Sequence, residues 1–203
     1  MDLLSIRHHP LPIGHGYQLY WLTSNGQTME VIVTSVAEVV ERWVEIVTGL
    51  HHGGAVGSVF IQWGPRTPPT SCDTLQICVS PHILIFQISC CETLENVERL
   101  RAFLDMSTMR FVGVAIQPIR DRLSGYGMRI TQIREIRQLV LERFGVRGGT
   151  IEEMAEQYLG LYGMQRPARV MASDWSIPML TEDQVFVAAT YVYIAHQLGV
   201  TLY

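Results

Sequence analysis

Ser58-Val59-Phe60-Ile61-Gln62-Trp63 is a short apolar run with turn-forming residues on both sides. His51-His52-Gly53-Gly54 precedes the run, and Gly64-Pro65-Arg66-Thr67-Pro68-Pro69 follows it. An apolar run of this length between glycine and proline clusters predicts a buried strand. We therefore place the other segments of the chain around a core strand at 58–63.

Composition indicates one α/β domain with a full core. The chain has 203 residues, of which 48% are hydrophobic and only 17% are charged. The formal net charge of -4 argues against a broad basic face for nonspecific nucleic-acid binding, although a local basic groove is compatible with it. No basic flank followed by an apolar core opens the chain, and no apolar run reaches about 18 residues. We expect a cytoplasmic or nuclear protein with no membrane partner.

The N-terminal part predicts a hairpin and a helix. Residues 1–14 are expected to form an irregular lead-in. Asn25-Gly26 lies between the β-prone runs 17–23 and 28–34, and this dipeptide is the strongest short signal for a hairpin turn. Apolar residues then recur at helical spacing over 36–47. Because no long linker follows, we expect residues 1–50 to form an extension packed on a main domain at 51–203.

Strands come early in the main domain and helices follow them. The predicted strands after 58–63 are 74–79, 83–88, 110–116 and a short edge strand at 129–131. The predicted helices are 93–104, 117–126, 133–144, 151–159 and one from Thr181 to about residue 198. Thr150 and Thr181 each begin a capping box, with Glu153 and Gln184 three residues later. A hairpin beside 58–63 and a crossover helix before 110–116 predict a mixed sheet flanked by helices.

Six segments, in this order, resemble one known family. They are Phe60-Ile61-Gln62-Trp63, Asp73-Thr74-Leu75-Gln76-Ile77-Cys78-Val79, Leu84-Ile85-Phe86-Gln87-Ile88, Arg110-Phe111-Val112-Gly113-Val114-Ala115-Ile116, Ser173-Asp174-Trp175 and Leu180-Thr181-Glu182-Asp183-Gln184-Val185. Residues 56–198 are similar to the Werner-syndrome-type 3′–5′ exonuclease domain, of the DEDDy, DnaQ-like group. The resemblance implies a ribonuclease-H-like fold, and the hairpin and helix before it resemble the extension of plant members.

The resemblance also implies where catalytic residues should stand. The family holds two Mg²⁺ or Mn²⁺ ions on four carboxylates and orients the attacking water with a tyrosine. The matching positions in this chain are Phe60, Gln62, Ile119, Val187 and Tyr191. None of them is a carboxylate, and the position matching the tyrosine is a valine. We therefore expect no catalytic residue, no bound metal and no other cofactor.

Four aspartates near the matching positions are the candidates for replacement metal ligands. Asp73, Asp121 and Asp183 lie near the matching positions in sequence, but their spacing does not favour a replacement metal site. Asp174 is expected to be a loop or cap residue.

The expected fate of the site is conversion to core, with apolar burial stabilising it. The alternative is a reshaped pocket in which the Tyr191 hydroxyl and the Gln62 amide bind a new ligand.

Three functions follow from these observations. The first is a catalytically inactive exonuclease-like protein that binds a nucleic acid, or a protein partner such as an active relative. The second is a residual 3′–5′ exonuclease acting on DNA or RNA. The third is a protein-interaction scaffold that forms homo-oligomers. The candidate phosphate contacts are Arg120, Arg122, Arg129, Arg134 and Arg137, with the alternative that these arginines pair with Glu135 and Glu142 on a solvated face.

Overall fold

The computed structural model describes residues 4–10, 16–50, 54–165 and 167–203. Its strands are β1 (Ser5–His9), β2 (Tyr17–Ser24), β3 (Gln27–Thr34), β4 (Val56–Gln62), β5 (Thr74–Val79), β6 (His82–Phe86), β7 (Arg110–Gly113) and β8 (Ile133–Glu135). Its helices are α1 (Ala37–Leu50), α2 (Glu98–Asp105), α3 (Ile116–Ser124), α4 (Ile136–Phe144), α5 (Ile151–Leu159), α6 (Ala168–Met171) and α7 (Glu182–Leu202). His51, His52 and Gly53 of the predicted turn, and residues 1–3 and 11–14 of the predicted lead-in, lie outside the described ranges.

The strands form one mixed sheet in the order β1-β2-β3-β6-β5-β4-β7-β8. β4 pairs antiparallel with β5 and parallel with β7, so it lies inside the sheet. Its residues from Gly57 to Gln62 are all buried, which confirms the strand predicted from the apolar run. The α/β fold with a mixed sheet flanked by helices is likewise confirmed.

The N-terminal hairpin extends this sheet. Asn25 and Gly26 have φ angles of 48° and 76°, as a two-residue turn between antiparallel strands requires. β3 then pairs parallel with β6, with Val31 opposite Ile83. Because that pairing joins the hairpin to the main sheet by backbone hydrogen bonds, the sheet is continuous across the predicted boundary at residue 50.

Two helical layers cover the sheet and create two cores. The first core lies between the sheet and α4, α5, α6 and α7. The second lies between the other face and α1, α2 and α3, where Trp43, Phe103 and Phe111 pack edge to face. A sheet buried on both faces explains why its inner strands are almost entirely apolar.

Two predicted segments are corrected by the structure. Residues 5–9 were expected to be irregular, but they form β1, which pairs antiparallel with β2 along its whole length. The strand expected at 129–131 lies instead at Ile133–Glu135, and α4 begins at Ile136. In both cases backbone pairing with a neighbouring strand outweighs the local pattern, which was too short or too polar to reveal it.

Helix α7 is the central helix of the first core. It packs across β4 in the opposite direction: Ser58 Oγ donates a hydrogen bond to the Val192 carbonyl at 2.5 Å, and Gly199 lies against Val56 and Val112. The predicted capping box at Thr181 and Gln184 begins it, as the box at Thr150 and Glu153 begins α5.

The length and composition of α7 would suffice to cross a membrane, since an 18-residue window reaches a mean hydropathy of 1.4. This window interrupts its apolar residues with polar ones, so it is not a continuous apolar run in the sequence. In the fold 78% of that window is buried, as in the core helix of a globular domain.

We predict that Gly199→Ala lowers the free energy of unfolding by about 1 kcal/mol or more. A Cβ at Gly199 would lie 2.7 Å from Val112 Cγ2, and a stiff β-branched neighbour cannot move aside cheaply. The control is Gly49→Ala in α1, where a Cβ meets nothing within 4 Å. Alanine at position 49 should raise the free energy of unfolding by roughly 0.5 kcal/mol, because alanine has a higher helix propensity than glycine. Urea unfolding of both variants measures the difference. Changes of the same sign in the two free energies of unfolding would contradict this account.

Candidate functional site

A cavity of about 360 Å³ lies where β4 ends, and we call it the β4 cavity. Its lining residues are Phe60, Ile61, Gln62, Trp63, Val114, Ala115, Pro118, Ile119 and Met171. The Gln62 amide is the main polar side-chain group among them, and its Nε2 lies 3.9 Å from the Met171 sulfur. The structure thus brings together Phe60, Gln62 and Ile119, the three predicted site positions that lie outside α7.

The turn between β7 and α3 brings Ile119 to this cavity. Ala115 has φ 56° and ψ 55°, a left-handed conformation that a residue with a Cβ rarely adopts. The chain therefore turns sharply after β7, and α3 starts at Ile116. Glu135, at the end of the neighbouring β8, accepts a hydrogen bond from the Ile116 amide at 3.3 Å. A carboxylate at this helix N-terminus accepts a hydrogen bond from an otherwise free amide and interacts favourably with the positive end of the helix dipole.

Asp73 and Asp121 have structural partners away from the cavity. The Asp73 side chain, 3% exposed as a residue, accepts hydrogen bonds from the Gly64 amide at 2.7 Å and from the Thr67 hydroxyl. It thereby fixes the turn that follows β4. Asp121 accepts from the Gln117 amide at 2.7 Å on the outer face of α3.

Asp174 and Asp183 are likewise occupied. Asp174 accepts from the hydroxyl and the amide of Ser176 and pairs with Arg66. These hydrogen bonds, with that from the Ser176 hydroxyl first, lower the pKa of its carboxyl from the usual range. Its place in a tight turn agrees with the expected loop role. Asp183 forms an exposed ion pair with Arg169 at 2.9 Å.

The side chains of the β4 cavity do not suit a divalent metal ion. Mg²⁺ and Mn²⁺ prefer carboxylate and water oxygens, whereas apolar groups and one neutral amide form this wall. Burial raises the pKa of the nearby Cys72 thiol to about 12, so this sulfur stays protonated and is a poor ligand. Within the described ranges, no group of three or more His, Cys, Asp or Glu side chains is arranged to hold a metal.

Val187 and Tyr191 line a different cavity, between α7 and the segment after α5. The Tyr191 hydroxyl donates a hydrogen bond to Glu152 Oε1 at 2.7 Å. Tyr191 and Gln62 therefore line different cavities, and the structure does not bring together the two groups of the reshaped-pocket alternative. The physical reason is that Glu152, on α5, directs the Tyr191 side chain toward the helical layer.

Three of the five candidate arginines are engaged within the fold. Arg134 binds Glu142 through both carboxylate oxygens, at 2.5 and 2.6 Å, and Arg137 donates to the Gly149 carbonyl at 2.9 Å. Arg122 donates to the Pro68 and Ser71 carbonyls. Its guanidinium also lies 4.1 Å from the centre of the Trp63 ring, at the rim of the β4 cavity.

Arg120 and Arg129 line one open groove beside α3, together with Asp121. Arg129 also approaches Asp105, with 3.6 Å between Nε and Oδ1, and both side chains are largely exposed. Such an exposed pair is weak and leaves the guanidinium accessible. These two arginines are the members of the predicted set that share a surface.

Solved structures identify the fold. No protein-family model and no curated protein matches the sequence. Escherichia coli RNase D, an exoribonuclease involved in structured RNA processing, superposes with a TM-score of 0.67 at 16% identity over 84% of this chain and 43% of that chain. Trypanosoma brucei RNase D, solved in complex with RNA U12, gives 0.63 at 16% identity over 82% of this chain and 61% of that chain.

A third structure, the EXD2 exonuclease domain soaked in Mg and dGMP, gives a TM-score of 0.50 at 20% identity. The alignment covers 85% of this chain and 88% of that chain. The fold is that of an RNase D-type 3′–5′ exonuclease domain. This chain spans less than two thirds of either RNase D chain. The structural likeness confirms the expected ribonuclease-H-like fold of an exonuclease domain.

The motifs that suggested this exonuclease fold hold its backbone together. Gln184 Nε2 donates to Ser173 Oγ at 3.0 Å and to the Asp174 carbonyl at 2.8 Å, so it ties α7 to the Ser-Asp-Trp segment. Trp175 of that segment is fully buried. Gln87, which directly follows β6, donates from Nε2 to the Ile177 carbonyl at 2.8 Å, two residues beyond that segment.

Sequence reasoning missed two carboxylates that shape the region. Glu135 supports the start of α3, and Glu152 orients Tyr191. The sequence indicates Glu135 only as an arginine partner, and it indicates no role for Glu152. The capping box before Glu152 was the one available signal, since it predicted that α5 begins there. It could not show that α5 would pack against α7.

We predict that Ala115→Gly leaves the free energy of unfolding unchanged or raises it by up to about 1 kcal/mol. Glycine adopts the left-handed conformation without the Cβ clash, which offsets its greater freedom in the unfolded chain. The control is Ala155→Gly inside α5, which should cost about 1 kcal/mol or more because it adds backbone freedom and removes a buried methyl group. Urea denaturation measures both, and an equal loss in the two variants would contradict the strain at Ala115.

Proposed function

We propose that this chain is a catalytically inactive exonuclease-fold protein that acts by binding a nucleic acid or a protein partner. We place it in the Werner-type group with the N-terminal extension of plant members, and in the cytoplasm or nucleus. In this proposal the protein binds no metal and has no catalytic residue.

The composition of the β4 cavity carries this proposal. Phosphodiester hydrolysis on two metal ions needs several anionic oxygens that converge on one point. Phe60 and Ile119 supply none, Gln62 supplies a neutral amide, and Val187 and Tyr191 line another cavity. The four nearby aspartates are bound to other partners. A residual exonuclease would need a metal-binding arrangement that these contacts do not favour.

A nucleic-acid strand is one candidate partner, and the rim of the β4 cavity supports it. Trp63 is 40% exposed and has the Arg122 guanidinium over its ring, a combination on which unpaired bases stack. Arg120 and Arg129, on the adjoining groove, offer phosphate contacts. The T. brucei RNase D neighbour was solved with RNA, which makes the same class of ligand reasonable for this fold.

A protein partner, including a second copy of the chain, is the other candidate. Phe144 and Tyr158 stack with ring centres 4.8 Å apart, and Leu141, Phe144 and Val146 are each more than 40% exposed. Exposed aromatic and aliphatic side chains of this kind are typical of interfaces between proteins. This surface favours the scaffold hypothesis independently of the β4 cavity.

We predict that the purified chain neither binds Mn²⁺ with useful affinity nor shortens 5′-labelled single-stranded DNA or RNA. Mn²⁺ binding is measured by electron paramagnetic resonance and degradation by gel electrophoresis. The matched variant is Gln62→Leu, which removes the one amide of the cavity and should leave both readouts unchanged. Mn²⁺-dependent degradation that Gln62→Leu abolishes would overturn the proposal and establish a residual exonuclease.

We further predict that single-stranded RNA binding, measured by fluorescence anisotropy at low salt, depends on Arg120 and Arg129. The double variant Arg120→Ala/Arg129→Ala should weaken binding and reduce the salt slope by about 1.4, since each phosphate contact on a single strand contributes about 0.7. The control is Arg134→Ala, whose guanidinium is held by Glu142. Failure of the wild-type chain to bind at low salt would contradict the nucleic-acid role and favour the protein partner.

A further inference from the structure

The β4 cavity contains one buried amide whose hydrogen-bonding capacity the fold leaves largely unused. Gln62 is 8% exposed and lines the cavity. Its Nε2 contacts the Met171 sulfur at 3.9 Å, and a thioether sulfur is a weak acceptor. Its Oε1 accepts no hydrogen bond from the residues that the structure describes. Because a buried amide without full partners is unfavourable, an occupant that bonds to both atoms would be retained.

The Gln62 oxygen can be reached from the cavity. Among the described residues, the side-chain oxygens that are sealed from the surface and lack a partner belong to Ser24, Gln76, Glu135 and Thr190. Gln62 Oε1 is not one of them, so this unbonded atom keeps contact with the open space of the cavity. Nε2 belongs to the same planar amide and has a second N–H besides the one that faces the sulfur. The cavity therefore offers an acceptor and a donor side by side.

Flat and apolar side chains surround this amide. Phe60 lies two residues before Gln62 on β4, so both side chains leave the same face of the strand. Pro118 and Ile119 add apolar wall from α3, and Trp63 is 40% exposed at the rim. Aromatic rings stack favourably on a planar ring. The volume of about 360 Å³ is in the range of small-molecule sites, roughly 300–1,000 Å³.

The donor and acceptor of Gln62 select the chemistry of the occupant. A cyclic amide, or lactam, carries a ring N–H next to a carbonyl. Its N–H can donate to Oε1 while its carbonyl accepts from Nε2. A carboxylate has acceptors only, so one of its oxygens would face Oε1 without a proton between them. This selection operates at Gln62 itself and does not depend on charges farther away.

We propose that the β4 cavity binds a neutral planar ring with a lactam edge, which Gln62 recognises through two hydrogen bonds. A free small molecule and an unpaired uracil-type base of a strand both carry this edge. The site rests on the proposed absence of a metal from the β4 cavity. Mn²⁺ binding tests that absence with a different readout, so failure of one proposal can be told from failure of the other.

The test uses three probes that share one ring system: 2-quinolone, N-methyl-2-quinolone and quinoline-2-carboxylate. Binding is followed by the NMR signals of methionine methyl groups. Met171 lines the β4 cavity, whereas Met164 lines the cavity of Val187 and Tyr191, which we call the α5–α7 cavity. We expect 2-quinolone to shift the Met171 signal and leave Met164 unchanged. Its Kd should be about tenfold lower than for the other two probes, since one lacks the N–H and one is an anion.

Two substitutions at Gln62 test the recognition of the edge. Gln62→Leu removes both polar atoms, so it should weaken 2-quinolone binding about tenfold and abolish the preference over N-methyl-2-quinolone. Gln62→Glu replaces the donor by a second acceptor and should favour 2-aminoquinoline, whose protonated form presents two donors. The control is Tyr162→Ala in the α5–α7 cavity, which should alter no affinity. The proposal is overturned if no probe shifts Met171, if all three bind equally, or if Gln62→Leu keeps the preference for 2-quinolone.

A uridine hexanucleotide distinguishes the two sources of the edge. If it shifts Met171, the cavity takes an unpaired base, and the same strand made of N3-methyluridine should leave Met171 unchanged. If only 2-quinolone shifts Met171, the ligand is a free ring. Equal shifts with the methylated and unmethylated strands would overturn the recognition of the lactam edge by Gln62.

Discussion

The packing of α7 across β4 is the contact on which the rest of the structure depends. Gly199 lets the helix approach Val56 and Val112, and Ser58 bonds to the helix backbone at Val192. These contacts fix both the distance and the direction of the helix over the strand. Because α5 packs on α7 in turn and β4 pairs with β5 and β7, a shift in this contact would disturb both the first core and the centre of the sheet.

The residues that reveal the exonuclease fold are mostly structural. Asp73 holds the turn after β4, Gln184 ties the start of α7 to the Ser-Asp-Trp segment, and Gln87, directly after β6, bonds to the Ile177 carbonyl just beyond that segment. Each side chain forms a hydrogen bond with a backbone group of a connecting segment. Loss of these residues would be costly even in a protein without catalysis. In this chain, therefore, the residues that reveal the fold are distinct from the positions at which catalytic residues were expected.

The five positions predicted to match catalytic residues line two cavities in this structure. Phe60, Gln62 and Ile119 face the β4 cavity, while Val187 and Tyr191 face the α5–α7 cavity. A metal centre would draw such residues toward a common point by charge. Without carboxylates that attraction is absent, and Tyr191 instead bonds to Glu152 on α5. The left-handed Ala115 keeps a sharp turn beside the β4 cavity, although the side chain that this turn presents is the apolar Ile119.

The sequence by itself determined the elements whose signals are local. The Asn25-Gly26 turn, the capping boxes at Thr150 and Thr181 and the apolar run of β4 all depend on neighbours a few residues away, and each was predicted correctly. Only the tertiary structure decided where β1 and β8 form, and that the five predicted site positions are divided between two cavities. These depend on contacts between distant segments, such as β1 with β2 and Tyr191 with Glu152, which a local pattern does not encode.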